Sequence, residues 1–223
     1  LSMHPYVLGD YMWTGIDYLG EAPWPSITPS TGMLDTCGFE KDGYSLLRSI
    51  WQDKETVLDL FPHWNYEGHE DEAIPVICYT NCDYVELFLN GRSFGTQSWQ
   101  FPRPGMTGDF FHFMKPRLEI TTSDLHLMWM VPYQPGQLRA VGYKNGVKAA
   151  ETVVNTAGSP AKLDISASTD KICADGQDAF KAAVRITDEN GNLIPHASDR
   201  IWINVEGAGA LWGIDNGSPF VGE

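Results

Sequence analysis

Two runs of alternating residues, each closed by Asn-Gly, constrain this chain more than any other feature. Tyr84–Leu89 reads YVELFL, with Val85, Leu87 and Leu89 on one face, and Asn90-Gly91 turns the chain back into Arg92–Gly95. Gln137–Tyr143 passes through Asn145-Gly146 into Val147–Val154 in the same way. A two-residue connection of this kind needs positive φ at both positions, which Asn and Gly accept at little cost, so each run predicts a β-hairpin. Ile74–Tyr79, Leu118–Thr122 and Leu125–Tyr133 supply further strands, giving six or seven in about 95 residues. Short strands at such regular spacing predict an immunoglobulin-like β-sandwich over residues 63–157.

Gly158-Ser159-Pro160 has the composition of a hinge. Beyond it, Lys162–Ala167 alternates as KLDISA, with Leu163, Ile165 and Ala167 expected inward, and Phe180–Thr187 and Ile201–Val205 are further strand candidates. Ala174-Asp175-Gly176 and Asp188–Asn192 (DENGN) are read as turns. The second of these carries four oxygen donors, but calcium loops of the helix-loop-helix type spread theirs over twelve residues and end on Glu, so a hairpin turn is favoured. Residues 158–223 therefore predict a second sandwich, incomplete because its last strands are missing.

Residues 1–62 follow a different plan. Tyr11–Gly15 (YMWTG) is apolar, β-prone and stops on glycine; a loop dense in Pro, Ser and Thr follows, and Asp42 then stands where it could cap a helix carrying Tyr44, Leu46, Leu47, Ile50 and Trp51. Strand, loop and helix make one βα unit, which cannot bury its own faces. It is expected to be the remnant of a larger body. Aromatics (Tyr11, Trp13, Tyr18) alternate with carboxylates (Asp10, Asp17, Glu21) at the end of the strand, which is where a (β/α) barrel assembles a sugar site. A core strand with a solvated acidic loop explains the same pattern.

Charge narrows the partners. A formal net charge of −14 argues against nucleic acid, whose binding is driven by basic residues. No apolar run of about 18 residues exists to span a membrane as a helix. The chain opens on Leu1 without a basic or apolar leader, so it reads as a segment of a longer polypeptide. Its four cysteines (Cys37, Cys78, Cys82, Cys173) lack the spacing of a zinc site and are read as packed thiols. Among the tryptophans, Trp129 and Trp202 fall inside strands and are expected in cores, whereas Trp99 and Trp212 lie near loops.

The order of these parts resembles the C-terminal segment of family-two glycoside hydrolases, the β-galactosidase clan. Residues 8–21 (LGDYMWTGIDYLGE) are similar to the last barrel strand of that family, and residues 32–42 (GMLDTCGFEKD) with Ser49-Ile50-Trp51 continue the match. Residues 63–66 (HWNY) and 83–95 (DYVELFLNGRSFG) look like the sandwich that follows the barrel in bacterial members. Ile172-Cys173-Ala174-Asp175-Gly176 and Ile186–Gly191 resemble a further immunoglobulin-like domain. The expected fold is thus mainly β: a remnant of the last βα unit of a TIM barrel over 1–62, then sandwiches over 63–157 and 158–223.

The resemblance implies retaining hydrolysis of a terminal β-galactoside, in which two carboxyls about 5–5.5 Å apart act in turn as acid and nucleophile. In the family both are glutamates on earlier barrel strands, and neither motif occurs here, so no catalytic residue is assigned and the segment alone is expected to be inactive. Trp13 carries over as the floor of the sugar subsite, where an indole packs on the C–H face of a pyranose. Asp17 and Glu21 are substrate-binding candidates through sugar hydroxyls, with capping or pairing to Lys41 as the structural alternative. Trp24 is a second candidate wall. The β-glucuronidase branch holds its sugar carboxylate with an Asn-x-Lys motif, but residues 24–32 (WPSITPSTG) contain no Lys or Arg, which favours a neutral sugar. Neither cofactor nor metal is implied. The implied partners are the carbohydrate and an upstream barrel of the same polypeptide, and the implied location is periplasmic or extracellular, with any signal lying upstream. The competing reading is a non-catalytic adhesion or carbohydrate-binding protein built of immunoglobulin-like modules.

Overall fold

The computed structural model describes residues 6, 8–9, 11–98, 103–104, 120–121 and 125–220. Trp99, Asp10 and most of the expected strand at 118–122 lie outside them. The chain divides into two units, one formed by the stretch up to Glu55 together with that from Trp202, the other by Thr56–Ile201.

The Thr56–Ile201 unit is mainly β. One sheet orders β1 (Leu58–Phe61), β2 (Ala73–Thr80) and β7 (Leu127–Pro132); the other orders β4 (Arg92–Ser98), β3 (Tyr84–Leu89), β8 (Gln137–Lys144) and β9 (Val147–Asn155). All their pairings are antiparallel. Short strands β5 (Arg103–Pro104) and β6 (Ile120–Thr121) pair with each other. Both Asn-Gly turns form as expected, with φ of 49° and 80° at Asn90-Gly91 and 53° and 75° at Asn145-Gly146. The Asn90 side chain closes the first turn against its neighbour loop: its Nδ2 donates to Pro135 O (3.0 Å) and its Oδ1 accepts from Gln137 N (2.8 Å).

Alternation in sequence becomes alternation in burial. Val85, Leu87 and Leu89 from one sheet and Leu127, Trp129 and Val131 from the other meet in a shared core, while Met128 and Met130 face out. Each side chain that leaves water in this way contributes about 1.5–3 kcal/mol. Trp64 is fully buried beside this core, its Nε1 donating to Gln134 O (3.0 Å), with Tyr133 edge-on at 5.2 Å between ring centres. Cys78 and Cys82 are buried free thiols, and burial pushes the Cys78 thiol well above its usual range. Cys173 is exposed, contrary to the expectation of four packed thiols, because its segment has no layer over it.

Strand β1 precedes the boundary drawn at 62, yet it pairs with β2 in register from Leu58↔Thr80 to Phe61↔Ile77. Its four residues are too few to show a period. Beyond Asn155, β10 (Lys162–Ala167) and β11 (Ala182–Thr187) pair antiparallel. Leu163 and Ile165 were expected inward, but they are 55% and 65% exposed, since among the described residues no second sheet covers their face. Ile201–Val205 forms no strand, and Trp202 is 84% exposed rather than core. A β-pattern needs a neighbouring edge to pair with, and none stands there among the described residues.

Gly158 is no free hinge. Asn65 exchanges two bonds with Ala157, Nδ2 to its O (2.9 Å) and Oδ1 from its N–H (3.0 Å). Gly158 N–H donates to Asp188 Oδ2 (2.9 Å), and Asp188 also accepts from Asn192 Nδ2 (2.9 Å) and from the N–H groups of Asn190 and Asn192 (2.9 and 2.8 Å). These donors, with Gly158 the largest influence, hold the Asp188 carboxyl down at about 2, below its ordinary 3.8. A carboxylate depressed in the folded state stabilises it above the unfolded value and loses that contribution as pH falls through the folded one. Wild type is therefore expected to exceed Asp188→Asn in stability above pH 4, with the gap closing between about pH 4 and 2. Thermal unfolding of both proteins across that range checks this; a constant gap would contradict it.

In the other unit, α1 (Asp42–Trp51) forms where expected, but Lys41 rather than Asp42 is the N-cap residue and makes no side-chain cap bond. Asp42 lies in the first turn, where a carboxylate suits the positive end of the helix dipole. The helix buries Ser45 and Ser49, leaving Ile50 exposed and Trp51 69% exposed.

Candidate functional site

The stretch expected as an opening strand, Tyr11–Gly15, is not one. Strand geometry survives only as an isolated parallel bridge, Ile16↔Leu34, continued by the antiparallel bridge Leu34↔Glu40. A parallel strand is stable when neighbours on both sides bond it, and here one side alone does so. Met33 N–H donates to Thr14 O (3.1 Å), Leu34 N–H to Gly15 O (3.0 Å) and Asp17 N–H to Leu34 O (2.9 Å), which lays residues 14–17 along 33–34.

That ladder sorts the three candidate residues into two groups. Asp17 points inward and is 8% exposed. Its Oδ1 accepts from Gly32 N–H at 2.6 Å, and its Oδ2 pairs with Lys41 Nζ. Gly32 has no alternative here, because a Cβ would lie 2.3 Å from Asp17 N and 2.6 Å from its Oδ1. Asp17 thus fastens the ladder, with its charge compensated and both oxygens engaged.

Trp13 and Glu21 come together through Tyr18. The Trp13 Nε1 donates to Tyr18 Oη (3.2 Å), and Tyr18 in turn donates to Glu21 Oε2. The two rings stand edge to face, 6.2 Å apart at 85°. The bond to Glu21 raises the Tyr18 phenol above its usual value. Glu21 follows Gly20 and takes φ of 51°, while Gly20 itself takes 100°, a value that suits glycine. The outcome is an indole held by its N–H edge and 72% exposed. Trp24 is also exposed, between two prolines. An indole face and an adjacent carboxylate are the two kinds of contact a neutral sugar offers: a C–H face and hydroxyl donors.

Tyr18, which links the pair, had no assigned role from sequence. Its offsets from Trp13 and Glu21 are five and three residues, a spacing that follows no helix or strand period and so carries no local signal. Among the described residues no three His, Cys, Asp or Glu side chains are grouped to hold a metal.

In the Thr56–Ile201 unit a cleft of about 620 Å³ lies along Asn65, Tyr66, His69, Pro160 and His196. His63 stacks on Tyr66 (4.8 Å) and meets His196 edge-on (4.5 Å). Burial, then the charge of His196, lowers the His63 pKa. With the Asn65 amide committed to Ala157, these groups join the strands to the segment after them.

Residues 71–150 match the family model described as Domain of unknown function (DUF4982), and residues 163–222 match Glycoside hydrolase family 2 C-terminal domain 5. The chain is 36% identical over 218 residues to Beta-galactosidase BoGH2A of Bacteroides ovatus, a match covering 96% of this chain and 23% of that protein. It is 25% identical over 197 residues to a Beta-glucuronidase of Formosa agariphila, covering 86% of this chain and 18% of the relative. Among solved structures, a beta-glycosidase from Bacteroides vulgatus superposes with a TM-score of 0.69 at 35% identity, over 83% of this chain and 21% of that one. The chain thus spans about a quarter or less of the relatives it matches.

Proposed function

This chain belongs to the C-terminal region of glycoside hydrolase family 2, and from that premise we propose that it supplies one wall of the sugar subsite in a retaining enzyme acting on terminal β-galactosides. The observation that carries the reading is the open Trp13 indole, braced through Tyr18 to Glu21. Residues up to Trp51 act as the last βα unit of a catalytic barrel whose other strands bring the two catalytic carboxyls. Their immunoglobulin-like companions brace that barrel, and the enzyme works in the periplasm or outside the cell. A glycan-binding sandwich fits less well, because Trp64 and Trp129 are both buried, with Trp129 Nε1 donating to Gly95 O.

Choice of sugar follows from charge. Residues 24–32 contain no cation, and Lys41, the nearest lysine in sequence, is paired with Asp17. A uronate carboxylate would therefore enter without a counter-ion, whereas galactose needs none. In the full-length polypeptide, kcat/KM for an aryl β-galactoside is expected to exceed that for the matching β-glucuronide by at least about 100-fold, since an unpaired charge is costly to desolvate. Preference for the glucuronide would overturn the assignment.

A further inference from the structure

The stretch from Asp215 to Phe220 is bonded to the loop that carries the sugar-facing residues. Ile27 N–H donates to Pro219 O (2.7 Å), and Ser26 forms an antiparallel bridge with Phe220. Ile27 O in turn accepts from Gly20 N–H (2.8 Å), directly before Glu21. A continuous series of bonds thus runs from Pro219 through Ile27 and Gly20 to Glu21, Tyr18 and the Trp13 indole.

A second attachment lies a few residues away. The Cys37 thiol sits against the Asp215 carboxylate and the Gly217 N–H, and burial followed by the charges of Asp215 and Asp35 raises it above its usual value. Gly217 approaches Asp35 so closely that a Cβ would lie 2.1 Å from Asp35 Oδ2, and its φ of 74° also demands glycine. Asp35 is itself fixed, accepting from Cys37 N–H (2.9 Å) and Phe39 N–H (2.8 Å) through Oδ1. The tail is braced internally: Asp215 Oδ1 accepts from Gly217 N–H (2.9 Å), Asn216 Oδ1 from Ser218 N–H (3.0 Å) and Ser218 Oγ from Phe220 N–H (3.2 Å). Neither strand nor helix holds residues 18–32 in place. Outside bonds must do so, because a loop of this length otherwise loses its geometry to conformational entropy.

We propose that Asp215–Phe220, at the far end of the chain, is a positioning element for the sugar subsite, clamping the Gly20–Ile27 loop so that Glu21 and Trp13 meet the sugar. Gly217 and Asp215 are positioning residues and touch no substrate. The inference rests on the sugar-wall reading above. It explains why a terminal module accompanies the barrel: its tail completes the wall that the barrel segment begins.

The test is Gly217→Ala in the full-length polypeptide, with hydrogen exchange over residues 20–27 and steady-state kinetics on an aryl β-galactoside. Exchange at the Gly20 and Ile27 amides is expected to rise at least about tenfold, as their bonds open. KM is expected to rise about tenfold with kcat within about threefold, the signature of binding lost equally from ground and transition states. Asp215→Ala, which removes the Cys37 attachment without a clash, should shift both readouts the same way by about threefold, and it serves as the arm if the alanine at 217 prevents folding. Unchanged exchange, or raised exchange with unchanged KM in a folded variant, would overturn the proposal. Absence of glycosidase activity in the unaltered enzyme would instead sink the sugar-wall reading, and the exchange measurement would still report on the clamp.

Discussion

Trp64→Ala is expected to cost about 3–5 kcal/mol of stability, the range for deleting a buried large aromatic. The side chain has no exposed surface, and its loss removes three kinds of interaction together. The indole leaves a cavity between the sheets and the 133–135 turn. Tyr133 and Tyr66, edge-on at 5.2 and 6.2 Å, lose their ring partner. Gln134 O loses its donor, and the Thr156 Oγ1 bond to Trp64 O (2.6 Å) depends on the backbone staying in place. For a unit of this size the cost corresponds to a melting-point drop of roughly 8–16 °C. Differential scanning calorimetry measures it directly, and a drop below about 3 °C would show that this end of the core does not depend on the indole. Trp64→Phe keeps most of the packing but not the bond, and should fall between the two.

Trp13→Ala is expected to act on turnover instead. In the full-length enzyme kcat/KM should fall about 100-fold, equivalent to about 2.7 kcal/mol of transition-state stabilisation. The melting point should move by less than about 2 °C, because an exposed side chain contributes little to folding. The loss has two sources. The sugar loses a rigid apolar platform, and Tyr18 loses the indole N–H that fixes its ring. Trp13→Phe retains a platform but no donor, and should recover part of the rate. Wild-type kinetics in the alanine variant would remove Trp13 from the subsite.

The two effects differ in kind because burial differs, and burial also marks what the sequence could show. Hairpins at Asn90-Gly91 and Asn145-Gly146 were legible because register, turn chemistry and alternation are all local. Strands β2, β3, β7 and β8 followed from them within a residue or two. Leu163, Ile165 and Trp202 carried the same alternating signal, yet they are exposed. A pattern says which face is apolar and says nothing about whether another layer covers it. The opening strand failed for a related reason, since a parallel strand is defined by its neighbours. Within the site, Trp13 could be singled out by resemblance and Asp17 could be matched to Lys41. Tyr18 as the link between Trp13 and Glu21, and Pro219 as a support nearly two hundred residues away in sequence, join positions that no local period connects.

The two Asn-Gly turns look alike as folding signals, but they differ as chemical bonds subject to wear. An Asn-Gly pair ages when the glycine amide nitrogen attacks the asparagine side-chain carbonyl and closes a succinimide, releasing ammonia. At Asn90 that carboxamide is pinned at both ends, by Pro135 O and Gln137 N–H, so the carbonyl is held away from the swing the attack requires. At Asn145 the corresponding anchor, Asp83 Oδ2, grips the backbone N–H (2.6 Å) and leaves the carboxamide outside its hold. Deamidation in storage therefore begins at Asn145, and each event adds one more negative charge to a chain that already carries a net −14.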